Sequence, residues 1–162
     1  MKILIYAILF YEIINYIMEI TICGIVYTNK INNLYLSKKK LIILPKKISQ
    51  LTQLQTLDIS CNKITELLKE IGQLAQLHEL NISENKIKKL PREIGKLAQL
   101  HELNISYNQI IELPEEIISL QKLNNFDYNG NSIENLNNPF ICQFINIIKN
   151  KGDNQSLVKC YK

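Results

Sequence analysis

Four asparagines stand at one unvarying interval: Asn62, Asn85, Asn108 and Asn131 are each 23 residues apart. The same step of 23 links Leu57, Leu80, Leu103 and Phe126, then Ile64, Ile87, Ile110 and Ile133, then Leu67, Leu90, Leu113 and Leu136. A fixed period of this length means one supersecondary unit stacked several times, and it constrains the architecture before anything else is considered. Stepping back from Leu57 and Leu67 gives Leu34 and Leu44, with Lys39 where the asparagine should be. Five units therefore begin at Ile31, Leu54, Leu77, Leu100 and Leu123. The segment AQLHELNIS recurs at 75–83 and 98–106, a sign of duplication.

The spacing inside a unit carries its own physics. In LQTLDISCNKITEL at 54–67, Leu57 and Ile59 alternate with Thr56, Asp58 and Ser60, the period-two signature of a strand with one buried face. So short a strand is unstable alone, and units must stack to bury a shared core. The Asn of each unit falls where the chain turns inward, and its amide can satisfy backbone groups that the turn leaves unpaired. Asn62, Asn85, Asn108 and Asn131 are thus expected to form a structural ladder. LPREIGKL at 90–97 and LPEEIISL at 113–120 then return the chain along the outer face, with Ile94 and Ile117 inward and Pro91 and Pro114 in the first turn.

Five units with Leu44-Pro45, Leu90-Pro91 and Leu113-Pro114 resemble the leucine-rich repeat proteins, and among them the 23-residue, Leu-Pro type Ras-group subclass. Lys39 for Asn, Leu68 for Pro and Asn137 for Pro depart from the pattern, the first and last of them in terminal units. The resemblance implies an α/β solenoid, a horseshoe with a parallel concave sheet of about five repeats between N- and C-terminal caps. It also implies a non-catalytic scaffold for protein or peptide partners, with a small GTPase or its regulator the class suggested by the subclass.

Composition agrees with a binding scaffold. A chain of 162 residues holds one ordinary domain, and 46% hydrophobic residues with 21% charged exclude a disordered one. The net charge of +4 is too small to indicate nucleic acid without a clustered patch. There is no C-x-x-C, phosphate loop or G-x-S-x-G. Cys61 has no histidine near it in the repeat map, and His78 and His101, one unit apart, read as duplicated surface histidines. No catalytic residue, metal or cofactor is expected.

In a horseshoe the strand side chains pointing away from the core line the concave face. One row is Asn33, Thr56, Glu79, Glu102 and Asn125, and a second is Tyr35, Asp58, Asn81, Asn104 and Asp127. A third is Ser37, Ser60, Ser83, Ser106 and Asn129, and a fourth Lys38, Cys61, Glu84, Tyr107 and Gly130. The expected contact residues are Tyr35, Thr56, Asp58, Ser60, Glu79, Asn81, Glu84, Glu102, Asn104, Tyr107 and Asp127. The rows are acidic, whereas Lys38, Lys39, Lys40, Lys46, Lys47, Lys86, Lys88 and Lys89 fall mostly on turns and the outer return. Such segregation steers a basic or donor-rich partner to the concave side. The strands offer roughly 320 Å², below the roughly 800 Å² per partner of a stable protein interface.

Residues 138–162 form a C-terminal cap, with Phe140, Ile141, Phe144, Ile145 and Ile148 at helical spacing. Asn138-Pro139-Phe140-Ile141-Cys142 resembles the start of the cysteine-bearing flank of extracellular leucine-rich repeat proteins, although Phe144 stands where that pattern has a second Cys. Cys142 and Cys160 either pair in an oxidising compartment or remain inert thiols. Residues 1–30 are read as an apolar segment with Lys2 and ILIYAILFY at 3–11. Glu12, Asn15 and Glu19 share one helical face, which suits a capping helix; an uncleaved signal or membrane anchor through residues 1–27 is the other reading. Ile20-Thr21-Ile22-Cys23 also approaches a lipoprotein acylation site, with Ile22 where a small residue belongs. The expected compartment is cytoplasmic, the alternative an exported or membrane-tethered recognition domain; a structural subunit of a larger solenoid is a third reading.

Overall fold

The computed structural model describes residues 19–151. Strands β1 (Glu19–Ile22) and β2 (Ile25–Thr28) form an antiparallel hairpin. Five three-residue strands follow: β3 (Asn33–Tyr35), β4 (Thr56–Asp58), β5 (Glu79–Asn81), β6 (Glu102–Asn104) and β7 (Asn125–Asp127). They form one parallel sheet in sequence order, each residue paired with the one a repeat later: Leu57 with Leu80, Leu80 with Leu103, Leu103 with Phe126. The regular strand is shorter than the alternating pattern suggests, but its ladder runs on, since Ile59 N–H donates to the Asn81 carbonyl at 2.9 Å and Cys61 N–H to that of Ser83 at 3.0 Å.

Each of the first four units closes through a 3₁₀ turn on the outer side, at Lys46–Gln50, Lys69–Gln73, Arg92–Lys96 and Glu115–Ser119, and the fifth through a shorter one at Asn135–Asn137. Pro45, Pro91 and Pro114 do not lie in the first turn, as the sequence suggests, but immediately before it in extended conformation. Their carbonyls accept from Ile48, Ile94 and Ile117 N–H at 3.0 Å, and a residue that only accepts loses nothing by being proline. Leu68 takes the same backbone position at φ −69° and ψ 146°, so its departure from Leu-Pro leaves the turn intact. Successive turns pack so closely that a Cβ on Gly95 would lie 2.5 Å from the Glu116 carbonyl oxygen.

The core is one apolar column. Leu77, Leu80, Ile82, Ile87, Leu90, Ile94 and Leu97 are all buried in the third unit, and their equivalents one period away are buried in the second and fourth. The asparagine ladder ties the units along this column. The Asn108 amide donates to the carbonyls of Ile82 and Ile105 at 3.0 Å and Ser106 at 3.2 Å, while its Oδ1 accepts from Ile87 N–H at 3.0 Å. Asn62, Asn85 and Asn131 repeat the arrangement, each reaching the carbonyl 26 residues earlier and the N–H 21 residues earlier. Asn135, which the period does not single out, bonds both backbone groups of Leu113.

Both ends of the described structure differ in detail from expectation. Residues 19–28 are a hairpin and not part of a capping helix; Glu12, Asn15 and the apolar run at 3–11 lie outside the described residues. The reason is local: alternation puts Ile20 and Ile22 into the core, and Cys23-Gly24, at φ 53° and 76°, make a two-residue turn that suits antiparallel strands. At the other end, helix α1 (Pro139–Lys151) buries Ile141, Phe144, Ile145 and Ile148 against the last units. Asn138 caps it, its Oδ1 accepting from Phe140 N–H at 3.0 Å, with Pro139 as first helical residue. Phe140, expected to face inward, is 70% exposed, because a 13-residue helix centred on 141, 144, 145 and 148 turns position 140 outward and takes Cys142 in. Cys142 is fully buried and disulfide-bonded; its expected partner Cys160 lies outside the described residues.

Candidate functional site

The parallel register stacks equivalent side chains from neighbouring strands in rows, about 4.8 Å apart. One row runs Asn33, Thr56, Glu79, Glu102, Asn125 and the next Tyr35, Asp58, Asn81, Asn104, Asp127, both as expected. These rows floor a groove of about 800 Å³. Of the eleven contact residues expected from sequence, Tyr35, Thr56, Asp58, Glu79, Asn81, Glu102, Asn104 and Asp127 line it. Asp58, Glu79, Glu102 and Asp127 place four carboxylates there.

The remaining three stand elsewhere. Ser60 is buried, as are Ser83 and Ser106, so these three serines of the third row do not face the groove. Its burial has a specific cause: Asp58 Oδ1 accepts from Ser60 N–H at 2.9 Å, and Asn81 and Asn104 hold Ser83 and Ser106 by N–H and hydroxyl alike. These short-range bonds turn the chain inward two residues after each strand. Glu84 and Tyr107 are exposed but do not line the groove. Lys38, Cys61, Glu84 and Tyr107 all have φ between 53° and 59°, and Gly130 has 68°, so the fourth row is a column of left-handed residues. The stacked ladder holds four non-glycine residues in a region that they enter only when their surroundings dictate it.

The second row consequently has two duties. Its carboxylate and amide oxygens are partly occupied by the turns, whereas the first row is left with an inter-strand contact of 3.5 Å from Thr56 Oγ1 to Glu79 Oε2. Glu79 and Glu102 are the exposed carboxylates of the floor. Sequence reasoning missed most of the end wall: Ile148 and Lys149 of α1, with Tyr128, close the groove beside β7, next to Asn129 of the expected third row. Lys149 Nζ lies 5.7 Å from the centre of the Tyr128 ring, bringing one cation to the rim of an acidic surface. Only the docking of the helix reveals this, since residue 149 lies more than twenty positions from the strand that it flanks. His78 and His101, at the head of β5 and β6, stack with ring centres 5.3 Å apart and planes within 2°.

A unit of short strand, asparagine turn and outer 3₁₀ segment, repeated in register, defines a solenoid whose groove-bearing face is the sheet. The chain belongs to the leucine-rich repeat family. The family profile for a leucine-rich repeat region matches residues 27–103 and 66–138. Among solved structures, the ectodomain of the Arabidopsis thaliana plant membrane receptor kinase GASSHO1/SCHENGEN3, in complex with CASPARIAN STRIP INTEGRITY FACTOR 2, is similar at 32% identity and TM-score 0.61. That match covers 65% of this chain and 13% of the other. A Leptospira interrogans LRR protein is 29% identical with TM-score 0.56, over 81% of this chain and 38% of the other. The functional domain of InlJ from Listeria monocytogenes, which includes a cysteine ladder, is 31% identical with TM-score 0.57, over 71% and 24%. The chain thus spans between 13% and 38% of the length of these structures. No curated protein matches it.

Proposed function

We propose that the chain is a non-catalytic recognition module that holds a peptide, or one protruding element of a protein, in its acidic concave groove. The observation that carries this is the register that gathers Glu79, Glu102, Asp58 and Asp127 into one groove walled by α1. A groove of about 800 Å³ is sized for a segment and not for a broad protein face. The partner chemistry it favours is cationic and rich in N–H donors, because carboxylates and amide oxygens dominate the floor. The similarity to a receptor ectodomain described in complex with another factor supports the reading. A peptide array graded in Lys and Arg content, probed with the parent chain and with Glu79→Lys/Glu102→Lys, tests it. Capture of basic peptides by the parent and its loss in the variant is the expected result; equal capture by both moves the site off the concave face.

In domain terms this reading takes residues 31–137 as the recognition array, 1–30 as the N-terminal segment and 138–162 as the cap. The 23-residue Leu-Pro unit supports the Ras-group subclass, a cytoplasmic signalling scaffold, and small GTPases or their regulators as first partners to test. One observation favours the exported alternative: Cys142 is disulfide-bonded, and such bonds persist in oxidising compartments. The intact mass of natively produced protein separates the two, since a gain of about two daltons on reduction belongs to the exported form.

A further inference from the structure

Charge is unevenly distributed along the solenoid. Between Glu19 and Asp58 the sequence holds no acidic residue but six lysines: Lys30, Lys38, Lys39, Lys40, Lys46 and Lys47. The last five lie in one segment, 38–47, which carries the chain from β3 to the first outer turn, and all five are exposed. Among the described residues, Lys46 has an acidic partner within salt-bridge distance, Glu70 at 3.5 Å, and the other four have none. The equivalent segment of the fourth unit, 107–116, holds Glu112, Glu115 and Glu116 and no base.

An apolar feature sits inside this basic segment. Ile42 and Ile43 are 61% and 64% exposed, although Leu44 beside them is buried in the core. The second and third units have Thr65-Glu66 and Lys88-Lys89 at these positions. The fourth unit has Ile111, 45% exposed, beside Glu112, so the first unit differs in carrying two adjacent exposed β-branched aliphatics, flanked on both sides by lysines. Lys38 and Lys40, both at φ 59°, bend the chain sharply just before the pair.

We propose that this edge of the first unit docks on an anionic lipid bilayer, its lysines meeting the headgroups and Ile42 and Ile43 entering the interfacial layer. Charge and apolarity together select the occupant. A nucleic acid or soluble acidic peptide satisfies lysines but offers nothing to two aliphatic side chains, whereas a bilayer interface takes both. The glutamates of the fourth unit stand about three strand spacings away, roughly 14 Å, beyond a Debye length of about 8–10 Å. The solenoid therefore rests on its first unit with the later units held off the surface. This surface is separate from the concave groove, and its argument does not use residues 1–18.

Co-sedimentation of the full chain with phosphatidylcholine vesicles, with and without phosphatidylserine, tests the proposal. Binding is expected to depend on phosphatidylserine and to fall as salt rises. Lys39→Gln/Lys47→Gln should weaken it on the order of 25-fold, about fivefold per lysine. Ile42→Ser/Ile43→Ser should weaken it about tenfold or more, and Glu115→Gln/Glu116→Gln should not weaken it. All four side chains replaced in the first two variants are exposed, and circular dichroism with thermal unfolding confirms that the fold is retained. Binding equal with and without phosphatidylserine, or unchanged in the lysine variant, overturns the proposal. Loss in the lysine variant but none in the isoleucine variant also overturns it, because the apolar pair then does not enter the interfacial layer.

Discussion

Replacing Asn108 by alanine removes four hydrogen bonds at once from the middle of the ladder: three from its amide to the carbonyls of Ile82, Ile105 and Ser106, and one from Ile87 N–H to its Oδ1. The residue is buried, so water does not readily replace them. At about 1 kcal/mol net per bond, with Ile87 N–H left as an unpaired buried donor, the loss should be about 3–5 kcal/mol. For a chain of this length that corresponds to a Tm lower by about 10 °C. Urea and thermal unfolding followed by circular dichroism measure both quantities. Asn131→Ala is the internal control: its ladder position is only half-buried at the edge of the array, and its third contact, to the Asn129 carbonyl, has lengthened to 3.5 Å. It should lose about half as much. An Asn108→Ala loss under about 1 kcal/mol, or equal losses at the two positions, would refute the argument that buried backbone satisfaction is what the ladder provides. Asn108→Asp sharpens the test. A carboxylate facing three carbonyls in the core has its pKa raised in the folded state, so the variant's deficit should be smallest below the unfolded carboxylate pKa of about 3.9 and grow as pH rises through the folded value.

Gly95→Ala should lower stability by about 1–3 kcal/mol, because a methyl 2.5 Å from the Glu116 carbonyl oxygen forces two packed outer turns apart; equal Tm values for variant and parent would contradict that contact. Glu79→Ala and Glu102→Ala, by contrast, should each change stability by less than about 0.5 kcal/mol while reducing capture of basic peptides, so binding and unfolding measured on the same samples separate groove from scaffold. Glu70 has its carboxyl held below the usual range by a backbone hydrogen bond, with the nearby Lys46 contributing. Its contribution is present above the ordinary glutamate pKa and lost as pH falls through the depressed one, so Glu70→Gln should lessen the dependence of Tm on pH on the acid side; an identical pH profile would count against it. Lys149→Glu should add repulsion at the end wall and leave basic peptides better bound, not worse, with peptide affinity as the measurement.

The solenoid, its period, the parallel rows and the asparagine ladder were legible in the residues because each repeats a local rule. Period-two alternation sets which side of the strand is wet, and a 23-residue step sets what stacks on what. Repetition turns a weak local signal into a strong one, and translation along the stack preserves it, so register followed directly. Features that occur once had no such reinforcement. The hairpin at 19–28 is one: Ile20 and Ile22 pack into the core and Cys23-Gly24 turns the chain, contacts that no period reinforces. Serines read as wet from alternation were buried because Asp58, Asn81 and Asn104 bend the chain before the alternation has run its course.

Ten of the groove's residues stand in the rows read from the repeat alone, eight of them among the expected contacts, since their place depends only on period and face. The closing wall could not. Where α1 comes to rest depends on how Ile141, Phe144, Ile145 and Ile148 fit against the last turns, a matter of shape between elements distant in sequence, and that fit carries Lys149 to the groove. The same holds for Ile42 and Ile43: their hydrophobicity is written in the chain, but only packing decides that Leu44 takes the core and leaves them in solvent. What the sequence determined by itself is therefore everything set by translation along the stack, because one period repeated leaves a single way to align the units. Tertiary structure alone decided the ends and edges, because there the periodic contacts stop and unique side-chain packing takes their place.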